Sequence, residues 1–593
     1  MRQRASWMGT PSIKGRTESQ RMALLTLSLV GLQFTWGIEM TYCTPYLLQL
    51  GLTKSRTSLV WIAGPLSGLI MQPLVGVIAD RSTSKWGRRR PFMIGGSLVV
   101  ALCLFVLGWT TEIVSIFISD TQLRKSVTIT VAVLSIYATD FAINVGASGM
   151  LPEFNSGYTA HPPAATGVCL GPITASRMTA VGSLIGYAIG SVDMLSRFGT
   201  TLGNTQFKQM TVIAALSLIT AVSVTSYAVK ERVLISVRDT DSRAGAIKIL
   251  SQLFRTTFNL PPRIKAICWA QFWAWIGWFP FLFYSSTWVG ETYFRYEVPK
   301  SAVEQSKDTL GEVGRLGSLS LVIFSMITLV SSVVLPFGVL SPENKRGRFT
   351  PRPPRGVVRL LKKIAFVRPD LQTAWMMSHI IFAATMIFAP LAKSVRFATF
   401  LVAICGIPWA VTSWAPFAFM GVEINRLAIS STSRNSTITM ITSAGASSRH
   451  SAYLPLETTD GNNSDLEFDN ASVLRLNHRH DGDSDFESDV EDDESASTGE
   501  LAGIYLGVLN VYTTLPQFVG TFISWIVFSI LEPNRSSTQS EPELKAKETT
   551  NSKENQWMNL NAEGPNGIAM CLFIGAICAM VATEATRRLK HVR

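Results

Sequence analysis

The sequence predicts an all-α polytopic membrane protein with twelve transmembrane helices, and three observations carry that prediction. The 593 residues are 47% hydrophobic and 16% charged, with mean hydropathy +0.25, too apolar for an ordinary soluble chain. Apolar segments of about 20 residues recur, each long enough to cross a hydrocarbon core as a helix. Between them stand short loops dense in Lys and Arg, which stay on the cytoplasmic side of a membrane. The net charge of +12 sits in those loops rather than on one soluble face, which argues against a nucleic-acid partner.

The expected spans are 23–48, 58–79, 92–110, 127–150, 173–195, 210–229, 266–289, 316–340, 371–391, 397–422, 502–530 and 567–584. An even number places both termini on one side. The Lys/Arg-rich segments 2–21, 230–265 and 341–370, with the tail from Arg587, make that side the cytosol. No short cleavable apolar core precedes the first span, so helix one is expected to direct insertion. The organisation is a cytosolic segment 1–22, a six-helix bundle 23–229, a cytosolic central loop 230–265, a second bundle 266–584 and a cytosolic tail 585–593. The seven cysteines form no C-x-x-C and lie mostly within apolar spans. They read as packing residues, with no metal site, cofactor or disulfide framework expected.

Helix one carries Gln33, Thr35, Trp36, Glu39, Tyr42 and Thr44, with Thr35, Glu39 and Tyr42 on one face. Glu39 is near mid-span, where an ionised group costs about 2.5 to 3.5 kcal/mol on insertion scales. It is expected to face a water-filled cavity or a partner; the competing reading is a neutral, hydrogen-bonded carboxyl. In helix two, Gly64-Pro65-Leu66-Ser67-Gly68 spaces small residues for close packing, and Gln72-Pro73 puts a polar group at a proline break. The following loop, Gly76 to Phe92, reads GVIADRSTSKWGRRRPF. Asp80 ends helix two and can pair with a guanidinium from Arg81, Arg88 or Arg89, making a latch that breaks and re-forms; alternatively the cations only orient the hairpin.

Helix four holds Asp140 near its middle, without a partner in its own helix, and helix five supplies a cation, Arg177. A boundary at 173 leaves Arg177 one or two turns from the cytoplasmic end, where snorkelling is the alternative role. Gly182, Gly186 and Gly190 form a small-residue stripe. Helix seven is rich in aromatic residues from Trp269 to Tyr284, including Gln271 and Trp275 on one face; such rings stack on sugars or anchor helices at interfaces. Helix eleven offers Asn510, Tyr512 and Gln517 around Pro516. His379 in helix nine reads as an interior residue. Residues 425–500, rich in Ser, Thr, Asn and acid, are expected to be disordered, either regulatory or an inert linker. Asn534 heads the one sequon expected outside; those at Asn435, Asn462 and Asn470 fall on the cytosolic side.

Several of these segments resemble a known family. Gly76, Asp80, Arg81, Gly87, Arg88 and Arg89 resemble the loop between helices two and three of major facilitator transporters, and the trailing Arg90-Pro91-Phe92 resembles the sucrose and α-glucoside proton symporters within that superfamily. Gly31 to Tyr46, Gly64 to Gly76, Ser176 to Tyr187, Gln271 to Leu282, Gly314 to Ser318 and Gly406 to Ala418 are similar to that family's helices one, two, five, seven, eight and ten. Fungal members resemble it most, since plant members tend to have Gln at the position of Glu39. The resemblance implies a 6+6 major facilitator fold and proton-driven import of sucrose or maltose by alternating access.

It further implies that Asp140 couples protons and binds sugar, with Arg177 re-pairing with it when it is ionised and Glu39 contributing. Gln33, Trp36, Tyr42, Gln72, Asn144, Gln271, Trp275, Asn510 and Gln517 are the candidates to line the sugar path, and Gly76 to Arg89 the gating loop. The implied partners are a small sugar, protons and the lipid bilayer, with the chain monomeric in the plasma or vacuolar membrane. Two departures stand out. Residues 147–172 do not resemble the family's end of helix four, and Ser285, Ser286 and Thr287 replace the D-T-D of plant members. The rival readings are a sugar sensor that binds without transport, a vacuolar sugar/proton carrier, and a membrane enzyme, for which no nucleophile triad or metal spacing appears.

Overall fold

Apolar composition and capping residues build helices over all the expected spans. The computed structural model describes residues 6–8, 12–80, 82–87, 89–150, 164–230, 233–236, 255, 257–298, 309–339, 369–427, 490–531 and 566–591. Helix one runs Glu18–Ile38 behind a Thr17 cap, passes through a π-helical turn, Glu39–Cys43, and finishes as Thr44–Gln49. Helix two is Lys54–Val60 followed by Ala63–Asp80. Helix three, Arg90–Gly108, carries Pro91 in its first turn, where the missing N–H leaves no bond unmade. Helices four to eight are Thr121–Met150, Ala164–Ser191, Gln206–Ala228, Pro262–Tyr296 and Thr309–Gly338. Helix nine, Leu371–Met386, is capped by Asp370. Helix ten is broken into Val395–Ile404, Gly406–Thr412 and residues 415–427, in keeping with Gly406, Pro408 and Pro416. Helices eleven and twelve are Val490–Leu531 and Gly567–Arg588. Among the described residues, ten helices are long and apolar enough to cross a membrane; helices two and five stand over the other two expected spans.

Several boundaries differ from expectation: helices one, four and eight start five to seven residues early, at Glu18, Thr121 and Thr309, and three further differences bear on the site or its loops. Helix five begins at Ala164, nine residues before the expected 173. Helix seven continues past 289 to Tyr296. The disorder expected over 425–500 does not extend to residues 490–500, which form the opening turns of helix eleven. Glu491, Asp492, Asp493 and Glu494 lie at that N-terminus, where the helix dipole favours negative charge. The remainder of that loop from 428 to 489, residues 151–163, all four sequons and most of 341–370 lie outside the described residues.

Helix one packs on helices five and six, helix three on four and six, and helix two on four. In the second half, helix seven packs on eight, eleven and twelve, and helix nine on twelve. The halves meet along two seams, two against eleven and five against eight, and where the π turn of helix one touches helices seven and eight. Close approach depends on glycine. A Cβ on Gly277 would lie 2.6 Å from the Gly575 carbonyl oxygen, and one on Gly186 would lie 2.7 Å from the Phe34 ring. The small-residue stripe of helix five is divided: Gly182 and Gly186 receive helix one, while Gly190 meets Ser318 of helix eight. Two short antiparallel ribbons, β1 (Ser6–Met8) with β4 (Val233–Ser236) and β2 (Ser12–Ile13) with β3 (Val229–Lys230), tie the start of the chain to the segment after helix six.

At the end of the bundle away from these ribbons, polar contacts cross between the halves. Lys54 Nζ at the start of helix two lies 2.5 Å from Glu291 Oε1 of helix seven, and both residues are buried. Arg315 at the start of helix eight reaches Asp193 at 3.3 Å, and the Ser55 and Ser529 hydroxyls are 2.7 Å apart. The Lys54–Glu291 pair is the expensive one, because two charges have left water together.

Two outcomes follow for the purified protein. Glu291→Ala removes the buried carboxylate beside Lys54 and lowers stability by about 3 to 5 kcal/mol, whereas the double change Lys54→Met with Glu291→Leu stays near the parent; thermal unfolding in detergent measures both. Gly277→Val lowers the midpoint through overpacking worth about 1 to 3 kcal/mol, whereas Gly95→Ala, with open space around its Cβ position, leaves it unchanged.

Candidate functional site

Two carboxyls define the interior of the first half. Glu39 opens the π turn of helix one and Asp140 sits in helix four; each is 4% exposed, and they face one another within electrostatic range. Neither Glu39 oxygen, nor Asp140 Oδ2, has a partner in hydrogen-bonding geometry. Buried polar atoms without partners are rare in native proteins and mark places where a ligand, ion or water belongs. Helix two leaves space for one. A Cβ on Gly64 would lie 3.9 Å from Asp140 Oδ2, and one on Gly68 would lie 3.8 Å from Asn144 Oδ1. Tight helix packing was the reading of these two glycines from sequence; here they border the polar interior at ordinary contact distance instead.

The π turn has a local cause. In ordinary α-helical winding the Pro45 ring would crowd the Thr41 carbonyl and offer it no N–H; in the wider register a carbonyl looks five residues ahead for its N–H, so it is Met40 that looks to Pro45 and finds none. The Ser286 hydroxyl of helix seven donates to that carbonyl instead, at 3.0 Å. Thr44, just beyond, donates to the Phe283 carbonyl at 3.4 Å. Helix seven is thus fastened to the irregular part of helix one, next to Glu39.

A chain of amides runs from the second half to the turn that carries Asp140. Asn510 Nδ2 of helix eleven donates to Gln72 Oε1 at 2.7 Å, and Gln72 Nε2 donates to Asn144 Oδ1 at 3.0 Å. Asn144 Nδ2 donates to Ser67 Oγ and to the Asp140 carbonyl, at 2.9 and 3.0 Å. Three sequence candidates, Gln72, Asn144 and Asn510, therefore come together with Asp140.

Other candidates are placed differently. Tyr42 is fully buried, donates to the Gly190 carbonyl at 2.8 Å and lays its ring over Gly314. Gln33 accepts from Ser183 at 3.3 Å, Gln517 donates to the Thr513 carbonyl of its own helix at 3.1 Å, and Trp36 is partly buried against the core. On helix seven, Gln271 Oε1 and Trp275 Nε1, one turn apart, are buried without partners, and the Trp275 ring meets Trp409 of helix ten edge-on at 6.0 Å. Trp278 instead packs into the core against Phe382 and Trp409, and His379 is buried beside Trp375.

Arg177 departs from the expected pairing. Because helix five starts at Ala164, Arg177 lies about 20 Å along its axis, deep enough to make snorkelling unnecessary. Its Nε donates to the Ser332 carbonyl of helix eight at 3.4 Å, and among the described residues it forms no ion pair with Asp140. Next to it, Ser176 and Ser413 of helix ten are 2.7 Å apart through their hydroxyls. In the gating loop, helix two does end at Asp80, Gly87 takes the left-handed φ of 108° that permits the turn, and Arg89 is buried. The Asp80, Arg81 and Arg88 side chains, and the surroundings of Gly76, lie outside the described residues. Sequence reasoning passed over Lys54 and Glu291, and it read Ser67 only as part of a packing motif and Ser286 only as a replacement for the D-T-D of plant members. Pro45 four residues after Thr41 was the available signal for the bulge, and Glu291 was visible as an acid inside an otherwise uncharged stretch of helix seven.

Comparison with known proteins agrees with this architecture. A family described as MFS/sugar transport protein matches residues 26–298. The general alpha-glucoside permease of Schizosaccharomyces pombe is 33% identical over 70% of this chain and 82% of the permease. Sucrose transport protein SUC4 of Arabidopsis thaliana is 28% identical over 69% of this chain and 79% of its own length. In fold, the chain is similar to a bacterial homologue of the human lysosomal transporter Spinster, in an inward-facing and unoccupied conformation, with a TM-score of 0.51 at 13% identity over 98% of this chain and 99% of that one. The chain is a multi-pass membrane transporter rather than an enzyme, and it belongs to the sucrose and α-glucoside symporter family of the major facilitator superfamily.

Proposed function

We propose that the protein imports sucrose or a related α-glucoside such as maltose together with protons, and that Glu39 and Asp140 form the proton-binding pair. The facing of these two buried carboxyls is the observation that carries the reading. Two adjacent carboxylates repel in a dry interior, and one proton on the pair relieves that repulsion. A pair loaded from an acidic outside and emptied into a neutral cytosol does what a symporter requires, with no covalent step. Sugar hydroxyls would meet the partnerless polar atoms of Asp140, Gln271 and Trp275, with the indole face available for stacking.

In this reading the two six-helix halves, 23–229 and 266–584, rock about the site. The Lys/Arg-rich segments put the termini, the central loop 230–265 and the tail 585–593 in the cytosol. The end closed by Lys54–Glu291 then faces outward. Arg177, held by the Ser332 carbonyl here, is free to reach Asp140 in another conformation, when the carboxylate has lost its proton and needs a cation. The Gly76 to Arg89 loop serves as the cytosolic latch. The protein acts as a monomer in the plasma membrane; a vacuolar location would turn the same chemistry toward export from the vacuole.

Uptake of labelled sucrose and maltose at pH 5 and pH 7, in cells lacking their own carriers, tests the reading. The parent is expected to take up at least one of the sugars faster at pH 5, and Asp140→Asn to lose at least about 90% of that uptake at equal surface level, a tenfold loss being about 1.4 kcal/mol. Sugar binding with no flux in the parent would favour a sensor instead.

A further inference from the structure

We propose that Ser286 is a positioning residue for the proton step: its hydroxyl, bonded to the Met40 carbonyl, holds the π turn of helix one in the register that turns Glu39 toward Asp140. The inference rests on the reading of Glu39 and Asp140 as the proton pair.

Four observations carry it. The π turn begins at Glu39 itself, so any change of register there rotates this side chain before any other. A return to ordinary α-helical winding turns the residues on either side of the bulge by about 100° relative to one another. Pro45 removes the N–H that would bond Met40 in the π register, and the carbonyl left over accepts from Ser286, a residue of the other half of the molecule. Within the π turn itself, the Tyr42 ring is held over Gly314 of helix eight, where a Cβ would come within 2.0 Å of the ring, so the bulge is clamped from two elements of the second half. The titratable group acting on Glu39 is Asp140 from helix four; Cys43 of the same turn feels both carboxyls, and Tyr137 of helix four feels Asp140.

The consequence is mechanical. When the halves separate at the Lys54–Glu291 end, helix seven leaves helix one and takes the Ser286 hydroxyl with it. The Met40 carbonyl is then unpaired, the bulge is free to shift, and Glu39 moves relative to Asp140. Opening of that mouth and proton affinity are thereby linked through one hydrogen bond, which makes Ser286 a coupling element rather than a sugar ligand.

The test measures initial rates of sugar uptake from pH 4.5 to 7.5 for the parent, Ser286→Ala, Ser286→Thr and Ser285→Ala, each normalised to surface level. Ser286→Ala is expected to move the pH of half-maximal uptake toward acid by about 0.5 to 1 unit, the scale of one net hydrogen bond, because a loosened pair shares its proton less well. Ser286→Thr keeps the hydroxyl and should restore the parent value within about 0.2 unit, the resolution of such a titration. Ser285→Ala, which alters a buried hydroxyl with no partner, should match the parent. Pro45→Ala removes the ring that crowds the Thr41 carbonyl in α-helical winding, and with it the reason for the bulge, so it should shift the profile in the same direction as Ser286→Ala, which keeps the test decisive if that variant is poorly expressed. A pH-dependent parent whose profile is unchanged in both Ser286→Ala and Pro45→Ala overturns this inference and leaves the proton pair standing. A parent with no pH dependence overturns both.

Discussion

The structure depends on keeping two carboxyls in a membrane interior that offers them no fixed counter-charge. Glu39 and Asp140 face one another from helices one and four, while Arg177, the cation in the neighbouring helix, is held on a carbonyl of helix eight. Burying a carboxyl without a cation is unfavourable unless it carries a proton or opens to water. That constraint accounts for several otherwise separate features. Helix two presents Gly64 and Gly68 instead of side chains where it passes the pair, Asn144 and Ser67 hold the adjoining turn of helix four, and helix one breaks its regular winding at Glu39.

The rest of the bundle makes that interior movable without dissolving it. Within each half, glycine contacts such as Gly277 on Gly575 bring helix backbones close together. Between the halves, glycine contacts such as Gly190 on Ser318 and Gly314 under the Tyr42 ring are joined by single hydrogen bonds, serine pairs and a buried ion pair, polar contacts that water can replace when the seam opens. A buried ion pair suits a closing mouth for this reason. Closed, Lys54 pairs with Glu291 Oε1 while Glu291 Oε2 is buried without a partner; hydration of both groups offsets much of their attraction, which would keep a closed and an open state close in energy.

Much of this was legible in the sequence. Apolar runs and basic loops located every helix, and the motifs from Gly31 to Ala418 named the family. Asp140 and Glu39 stood out because charge inside a span is costly, and Gln72, Asn144 and Asn510 because they are amides in apolar helices. What the sequence did not show is pairing. The expected partner of Asp140 was Arg177, since opposite charges in adjacent helices invite that inference, yet the carboxyl met was Glu39. The helix start at Val490 was hidden because its opening turns are acidic and lack the apolar pattern by which spans are found, and that at Ala164 because Gly171-Pro172 reads as the end of a loop. The π turn was hidden for a different reason. Periodicity arguments assume 3.6 residues per turn, and a local widening that places Tyr42 over Gly314 and Glu39 beside Asp140 leaves no mark except Pro45.

The central claim is that sugar and protons cross together, and proton movement measured directly is its sharpest test. Sucrose or maltose added to a weakly buffered suspension of energy-depleted cells expressing the protein should make the medium transiently more alkaline as protons enter with the sugar. The effect should be absent for Asp140→Asn. Sugar entry by the parent with no accompanying alkalinisation would contradict the account, because the Glu39–Asp140 pair would then be a fixed feature of the site and not its proton carrier.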